Sequence, residues 1–251
     1  MTTTPETPSV ELRNVTKAFG DRRVLDDVCL VVPKGRAVCI LGRSGTGKSV
    51  ALKHIIGLMR PDAGSVLVDG VDITHLNTRA LAEVRKRMGL LFQNGALFDS
   101  ISVGENVAFP LRRHTKLSDR EIRDRAAGLL EQVSLGREYD KMPADLSGGM
   151  RKRAGLARAL ALDPAIVLAD EPSAGLDPVT AAEIDHLLVD LSHRAGTTLI
   201  VVTHNIPSAR VIGDELVFLH EGRVIAQGNT DALDRSEIPL VRQFMQSEGA
   251  G

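Results

Sequence analysis

The sequence predicts an α/β fold: a P-loop core with an antiparallel β subdomain and an inserted α-helical subdomain. Three observations lead there. Gly42-Arg43-Ser44-Gly45-Thr46-Gly47-Lys48-Ser49 fits G-x-x-x-x-G-K-[ST] and stands between an apolar strand-like run and a helical pattern, the context that motif requires. Strand-like and helix-like segments alternate around it. From Gln93 to Asp145 the alternation stops and no strong strand signal remains.

Taken in order, residues 10–15, 28–32 and 37–41 are apolar runs of strand length, and a helix is predicted over 47–58. Pro61-Asp62-Ala63-Gly64 is a turn, 65–69 another strand, 78–87 a short helix and 89–92 an apolar strand run. Ser118 and Glu121 form a capping box for a helix over 119–133, in which Ile122, Ala126, Leu129, Leu130 and Val133 share a face. The alternating pattern resumes with a strand at 165–169, a helix capped by Asp177 with Pro178 at its first position, a strand at 197–202 and a meander of 215–219 and 223–226. These elements make one domain over 10–228, with the helical insertion at about 94–160, and a C-terminal helical extension over 229–251. Internal repeats, heptads and low-complexity blocks are lacking.

At 251 residues the chain can bury a substantial core, and its 31 basic and 32 acidic residues nearly cancel. That balance argues against nucleic acid or an anionic membrane as the main partner. The longest apolar runs fall far short of the ~20 residues a bilayer span needs. Residues 1–9, rich in Thr and Pro with neither a basic start nor an apolar stretch, read as a frayed tail and not a signal peptide. Cys29 and Cys39 lie inside apolar runs and read as buried, reduced thiols of a cytosolic protein.

The chemistry follows from two motifs. In the first, glycines let backbone N–H groups close around phosphates at a positive helix N-terminus, Lys48 supplies a point charge and the Ser49 hydroxyl suits Mg²⁺. In the second, the run Ala165-Ile166-Val167-Leu168-Ala169 ends in Asp170-Glu171. Adjacent acids after a strand can be a solvated loop; behind a P-loop they read as a Walker B pair, Asp170 holding a metal and Glu171 orienting or deprotonating a water. ATP and Mg²⁺ are the expected ligands.

With Gln93, Leu146-Ser147-Gly148-Gly149, Ser173-Ala174-Gly175-Leu176-Asp177 and His204 following in order, the chain resembles the nucleotide-binding subunit of an ATP-binding-cassette (ABC) transporter from about Val10 to Gly228. The resemblance implies a P-loop ATPase in which Gly42, Arg43, Ser44, Gly45, Thr46, Gly47, Lys48, Ser49 and Val50 bind ATP, and Ser49, Gln93 and Asp170 bind the metal. It implies Glu171 as general base, His204 at the γ-phosphate and Gln93 sensing both metal and membrane subunit. Ser147, Gly148 and Gly149 would complete the ATP site of a second copy in a head-to-tail dimer, with Asp177 in the D-loop. Phe19 stands at the adenine-stacking position, where an edge or core phenylalanine is the alternative. Asn205 departs from the family's commoner Asp. Arg151, Lys152 and Arg153 oppose the dipole of the helix after Gly149, so a bound phosphate, acidic side chains or solvent must compensate them.

The segments 93–100 and 105–111, with Met150 ending the signature, resemble the subgroup energising Mla-type and mammalian-cell-entry-type lipid transport. That implies a separate integral-membrane permease, a membrane-anchored lipid-binding subunit as a further partner, no nucleic acid, and a cytoplasmic place on the inner face of the membrane. Another substrate class, or an ABC ATPase without a transport role, is the alternative. Leu97, Phe98, Val107 and Phe109 either line the permease groove or belong to the insertion's core. Residues 238–251 stand where the subgroup has an extension toward a neighbouring subunit.

Overall fold

The computed structural model describes residues 7–247. Strands β1 (Val10–Phe19) and β2 (Arg22–Val32) form a hairpin, and β3 (Ala37–Leu41) leads through the glycine-rich loop into helix α1 (Lys48–Ile55). Then come β4 (Ala63–Val68), β5 (Val71–Asp72), α2 (Thr78–Arg85) and β6 (Met88–Leu91). Helices α3 (Val103–His114), α4 (Asp119–Gln132) and α5 (Gly148–Ala159) precede β7 (Ile166–Asp170). After α6 (Pro178–Ala195) and β8 (Thr198–Thr203) come α7 (Ile206–Ile212), β9 (Glu215–His220), β10 (Arg223–Gly228), α8 (Thr230–Asp234) and α9 (Pro239–Gln246).

The strands form two sheets: an antiparallel one in the order β2-β1-β4-β5, and a six-stranded one in the order β10-β9-β3-β8-β7-β6. The second is parallel except for β10, which returns antiparallel to β9. All residues of β3 and β8 are buried, as expected for parallel strands covered on both faces. Their side chains alternate between two cores. Val38, Ile40, Leu168, Ile200 and Val202 join α1 and the antiparallel sheet, while Cys39, Leu41, Val167 and Val201 join the helices.

Among those helices, α4 begins at the capping box, with the Ser118 N–H donating to Glu121 at 2.7 Å, and it buries Ile122, Ala126, Leu129 and Leu130. Helix α3 is absent from the sequence reading because Gly104 and Pro110 inside it look like breakers. Its signals were nonetheless local: Ser102 caps it by accepting from the Glu105 N–H, and Val103, Val107 and Leu111 form a buried stripe. Gly104 is required because a Cβ there would lie 2.3 Å from the Tyr139 ring.

Two expectations are corrected. Ser9 is not frayed: its N–H donates to the Val32 carbonyl, its carbonyl accepts from the Asp69 N–H, and its hydroxyl meets that of Thr198 at 2.8 Å. Residues 1–6 of that stretch lie outside the described residues. Cys29 is exposed, since alternation along β2 turns it to the outer face; Cys39 is fully buried, which pushes its thiol pKa up.

The segment after Gln93 is laid on α5 by a close backbone approach. A Cβ on Gly155 would stand 2.9 Å from both the Cα and the carbonyl oxygen of Gly95, and Arg158 donates to the Gly95 and Ala96 carbonyls. Gly128 on α4 has open space where its Cβ would be. Gly155→Ala is therefore expected to destabilise the chain by about 1–3 kcal/mol, and Gly128→Ala to stabilise it by about 0.5–1 kcal/mol. Urea unfolding of both variants checks this, and equal signs would contradict the packing described.

Candidate nucleotide site

The phosphate-loop residues lie where β3 ends, and Asp170 and His204 lie where β7 and β8 end, so all sit at the carboxyl edge of the parallel sheet. That edge is where open α/β sheets place ligands. Gly47 adopts φ 106 at the N-cap of α1, a left-handed conformation natural to glycine, and α1 has no side-chain cap. Its leading N–H groups are left for an anion.

Lys48 is buried and folds back along the loop, donating to the Gly42 carbonyl at 2.8 Å and the Arg43 carbonyl at 3.1 Å, with Glu171 at 3.8 Å. Burial pushes its pKa down; Glu171 and Asp170 oppose that. Ser49 Oγ donates to Asp170 Oδ1 at 2.9 Å. Burial raises the Asp170 pKa, and the neighbouring Glu171 carboxylate adds to the rise. Glu171, at φ 49, accepts from the Thr203 hydroxyl at 3.1 Å and the His204 N–H at 3.3 Å on Oε2. Its Oε1 meets His204 Nδ1 at 2.9 Å. A carboxylate acceptor there fixes the Nδ1–H tautomer.

Phe19, Ser44, Gly45, Gly47, Val50 and Gln93 line the same cavity, of about 590 Å³, as Lys48, Ser49, Glu171 and His204. Phe19 is half exposed at its mouth, which excludes the core alternative. Gly42, Arg43 and Thr46 do not line the cavity; they shape the loop, Thr46 donating to the Arg43 carbonyl at 2.9 Å. Sequence reasoning missed Arg22 and Val24, which reach the cavity from β2, Arg22 donating to the Gly45 carbonyl at 3.2 Å. Nothing in their spacing marks them. It also missed Thr203, whose place just before His204 at a strand end was a usable signal.

Ser147, Gly148, Gly149 and Asp177 stand outside the cavity. Ser147 caps α5 by accepting from the Met150 N–H at 3.2 Å, and Asp177 caps α6 by accepting from the Val179 and Thr180 N–H groups. Ser147 and Gly148 are exposed, beside Leu176. The basic run that follows is engaged within the chain: Arg151 donates to the Leu146 carbonyl at 2.9 Å, Arg153 forms an ion pair with Glu183 at 3.6 Å while its buried Nε has no hydrogen-bond partner, and Lys152 turns inward.

A larger cleft of about 740 Å³ lies at the opposite edge, beside Gly35, Ala165 and Thr197, and gathers none of the motifs. Its arginines are already engaged, Arg87 with Asp69 and Arg125 with Asp163. A third depression, of about 380 Å³, is apolar. Phe98 and Phe109, 47% and 44% exposed with ring centroids 5.0 Å apart, line it with Met88, Phe92, Pro110 and Leu162. Val107, expected to share this groove, is instead fully buried in the helical core, and Leu97 packs partly against that core.

A glycine-cradled helix N-terminus, a buried lysine, an oxygen pair at Ser49 and Asp170, and a hydrogen-bonded Glu171 define a P-loop nucleotide-binding ATPase. The profile of the ABC transporter family matches residues 25–174, and the chain belongs to that family; it is an ATP-binding ATPase. It is 47% identical to the probable ribonucleotide transport ATP-binding protein mkl of Mycobacterium tuberculosis over 243 residues, 97% of this chain and 68% of that protein. It is 44% identical to the intermembrane phospholipid transport system ATP-binding protein MlaF of Haemophilus influenzae, covering 96% of this chain and 92% of that protein. The ATP-binding cassette MJ0796, solved as a dimer in a post-hydrolysis state with ADP and Pi, superposes with a TM-score of 0.83 at 36% identity, covering 88% of this chain and 98% of that one. Among the described residues no helix is long and apolar enough to cross a membrane.

The raised Asp170 pKa has a consequence for stability. An acid whose folded pKa exceeds its unfolded one weakens the fold above the unfolded value, and that cost vanishes as pH falls through both. Asp170→Asn keeps an acceptor for Ser49 and removes the buried charge. The nucleotide-free variant should melt a few degrees higher than the parent at pH 7, with the gain shrinking toward pH 4; calorimetry across that range checks it, and a lower melting temperature at pH 7 would contradict it.

Proposed function

We propose that this chain is the ATP-hydrolysing subunit of an ABC transporter that moves phospholipid through a separate integral-membrane permease. The carrying observation is the convergence of Lys48, Ser49, Glu171 and His204 on one cavity, with Asp170 accepting from the Ser49 hydroxyl beside it. In this reading Gly42, Arg43, Ser44, Gly45, Thr46 and Gly47 wrap the phosphates, Val50 and Phe19 bound the nucleotide, and Phe19 stacks on the base. Lys48 exchanges its carbonyl partners for phosphate oxygens. Ser49, Asp170 and Gln93 offer oxygen donors that suit Mg²⁺, a cation usually bound by one or two carboxylates plus substrate phosphates; when bound it neutralises phosphate charge. Glu171 accepts the proton of the attacking water, and His204 steadies Glu171 through Nδ1 and addresses the γ-phosphate.

Two copies would pair head to tail, as the post-hydrolysis MJ0796 dimer illustrates, with exposed Ser147 and Gly148 and the buried Gly149 behind them completing the partner's nucleotide site and Asp177 holding the D-loop beside it. The domain over 10–228 would present its helical insertion at about 94–160 to the permease, placing the chain on the cytoplasmic face of the membrane. The exposed Phe98–Phe109 pair supports this docking. MlaF's name, on a relative matched over 92% of its length, supports the phospholipid cargo, and a membrane-anchored lipid-binding subunit would be the further partner. The name of mkl instead favours a ribonucleotide.

The cargo is tested by reconstituting the native complex and following ATP-dependent movement of labelled phospholipid between vesicles beside uptake of labelled ribonucleotide. Lipid movement is expected; ribonucleotide uptake without it would replace the cargo. Glu171→Gln should lower steady-state hydrolysis by about 100-fold or more while ATP still binds, because the amide cannot accept a proton. Turnover within a few-fold of the parent would place the base elsewhere. Phe98→Asp should leave ATP affinity and melting unchanged yet abolish permease pull-down, since the carboxylate would be desolvated unpaired. Normal assembly would remove Phe98 from the groove.

A further inference from the structure

The basic run after the signature contains one side chain that solvent does not explain. Lys152 is 5% exposed. Its ammonium donates to the main-chain carbonyl of Glu171 at 3.3 Å and to that of Ala174 at 2.5 Å. Between those carbonyls the chain turns: Glu171 is left-handed, and the Ala174 N–H returns to the Glu171 carbonyl at 3.3 Å. A non-glycine residue holds such a conformation only when its surroundings impose it. Burial pushes the Lys152 pKa down while the Glu171 charge pulls it up, so placing this amine here carries a desolvation cost that an apolar side chain would avoid. Lys152 sits on the second turn of α5, whose first residues are Gly148 and Gly149.

We propose that Lys152 is a positioning residue that clamps the Glu171–Ala174 turn from the signature helix, so that the helix presenting Ser147 outward also sets the orientation of the same chain's Glu171 carboxylate. The inference rests on the reading of Glu171 as general base. Glu171 is also held by its N–H on the Val202 carbonyl, by Thr203 and His204 at the end of β8, and by Lys48 at the start of α1. Removing the clamp takes two main-chain hydrogen bonds from the turn that aims it, leaving the Glu171 N–H on Val202 and the Ser173–Ser208 hydroxyl pair. Displacing a reacting group by about 1 Å can cost as much as 100-fold in rate.

The test uses the full chain and the assembled transporter with Lys152→Met, which keeps the aliphatic stem, and Lys152→Arg, which keeps the cation. For Lys152→Met we expect kcat to fall about tenfold or more at a KM within about twofold of the parent. In the ATP-free chain, amide exchange over 171–176 should quicken about tenfold while ATP affinity and melting stay near parental values. Lys152→Arg should recover a substantial part of kcat and of exchange protection. Unchanged exchange over 171–176, kcat within about twofold of the parent, or a loss shared equally by Met and Arg with a matching fall in melting temperature would each overturn the proposal. Glu171→Gln measured beside them separates the two readings: if it still turns over, the base assignment fails, whereas the exchange result in the ATP-free chain reports on the clamp regardless.

Discussion

The constraint on which this structure turns is a concentration of charge at the carboxyl ends of buried parallel strands. Lys48, Asp170 and Glu171 are packed at the ends of largely apolar strands, with Lys48 and Lys53 acting on Asp170 and Lys48 and Lys152 on Glu171. Desolvating such ions costs several kcal/mol each unless hydrogen bonds saturate them. The chain meets that demand locally: Glu171 is bonded through both oxygens, Asp170 through Ser49, and Lys48 through two loop carbonyls. The oxygen pair at Ser49 and Asp170 and the uncapped α1 amides are complementary: one suits a cation and the other an anion. A polyphosphate with a divalent cation satisfies both at once, and that is the physical reason a site of this composition belongs to a nucleotide.

The parallel sheet that holds this charge also partitions the molecule. One face closes with α1 and the antiparallel sheet, the other with α3, α4, α6 and α7. Helix α5 joins the two regions that matter for coupling. Its N-terminus is exposed, Lys152 grips the Walker B turn, and Gly155 and Arg158 lock the Gly95–Ala96 segment just beyond Gln93. A load on the Phe98–Phe109 groove therefore meets backbone that is hydrogen-bonded to α5, and α5 is in turn bonded to the carbonyl of Glu171. The nucleotide cavity and the Phe98–Phe109 depression are thus both hydrogen-bonded to one helix.

The sequence was most legible where chemistry and periodicity coincide. The glycine-rich loop, the apolar run ending in Asp170-Glu171, the Ser118 capping box and the Asp177-Pro178 helix start each combine a residue type with a fixed offset, and each is found in place. Legibility failed where tertiary packing overrides a local preference. Gly104 and Pro110 look like breakers, yet α3 tolerates both because the Tyr139 ring needs the missing Cβ and because Val103, Val107 and Leu111 anchor the helix. Cys29 shares an apolar run with buried neighbours, but the period of two decides its face, not the average hydropathy of the run. Arg22 and Val24 reach the cavity only through the β1–β2 hairpin geometry, which no motif encodes.

The end of the chain shows how far the sheet's core extends. Helix α9 buries Val241 and Met245, and Phe244 meets the edge of Phe218 on β9 with ring centroids 4.8 Å apart. Arg210 on α7 binds the Asp234 carboxylate and donates to the Met245 carbonyl at 3.1 Å, so the turns after β10 are tied to α7 by charge as well as by apolar contact. Residues 248–251 of the expected extension lie outside the described residues; its described part is committed to its own domain. That commitment reaches the nucleotide site, because α7 starts two residues after His204. The imidazole is thus fixed from the front by Glu171 and from behind by a helix that α8 and α9 brace. The proposed role of His204 at the γ-phosphate would draw on both restraints, since its half-exposed ring would otherwise be free to leave the carboxylate for solvent.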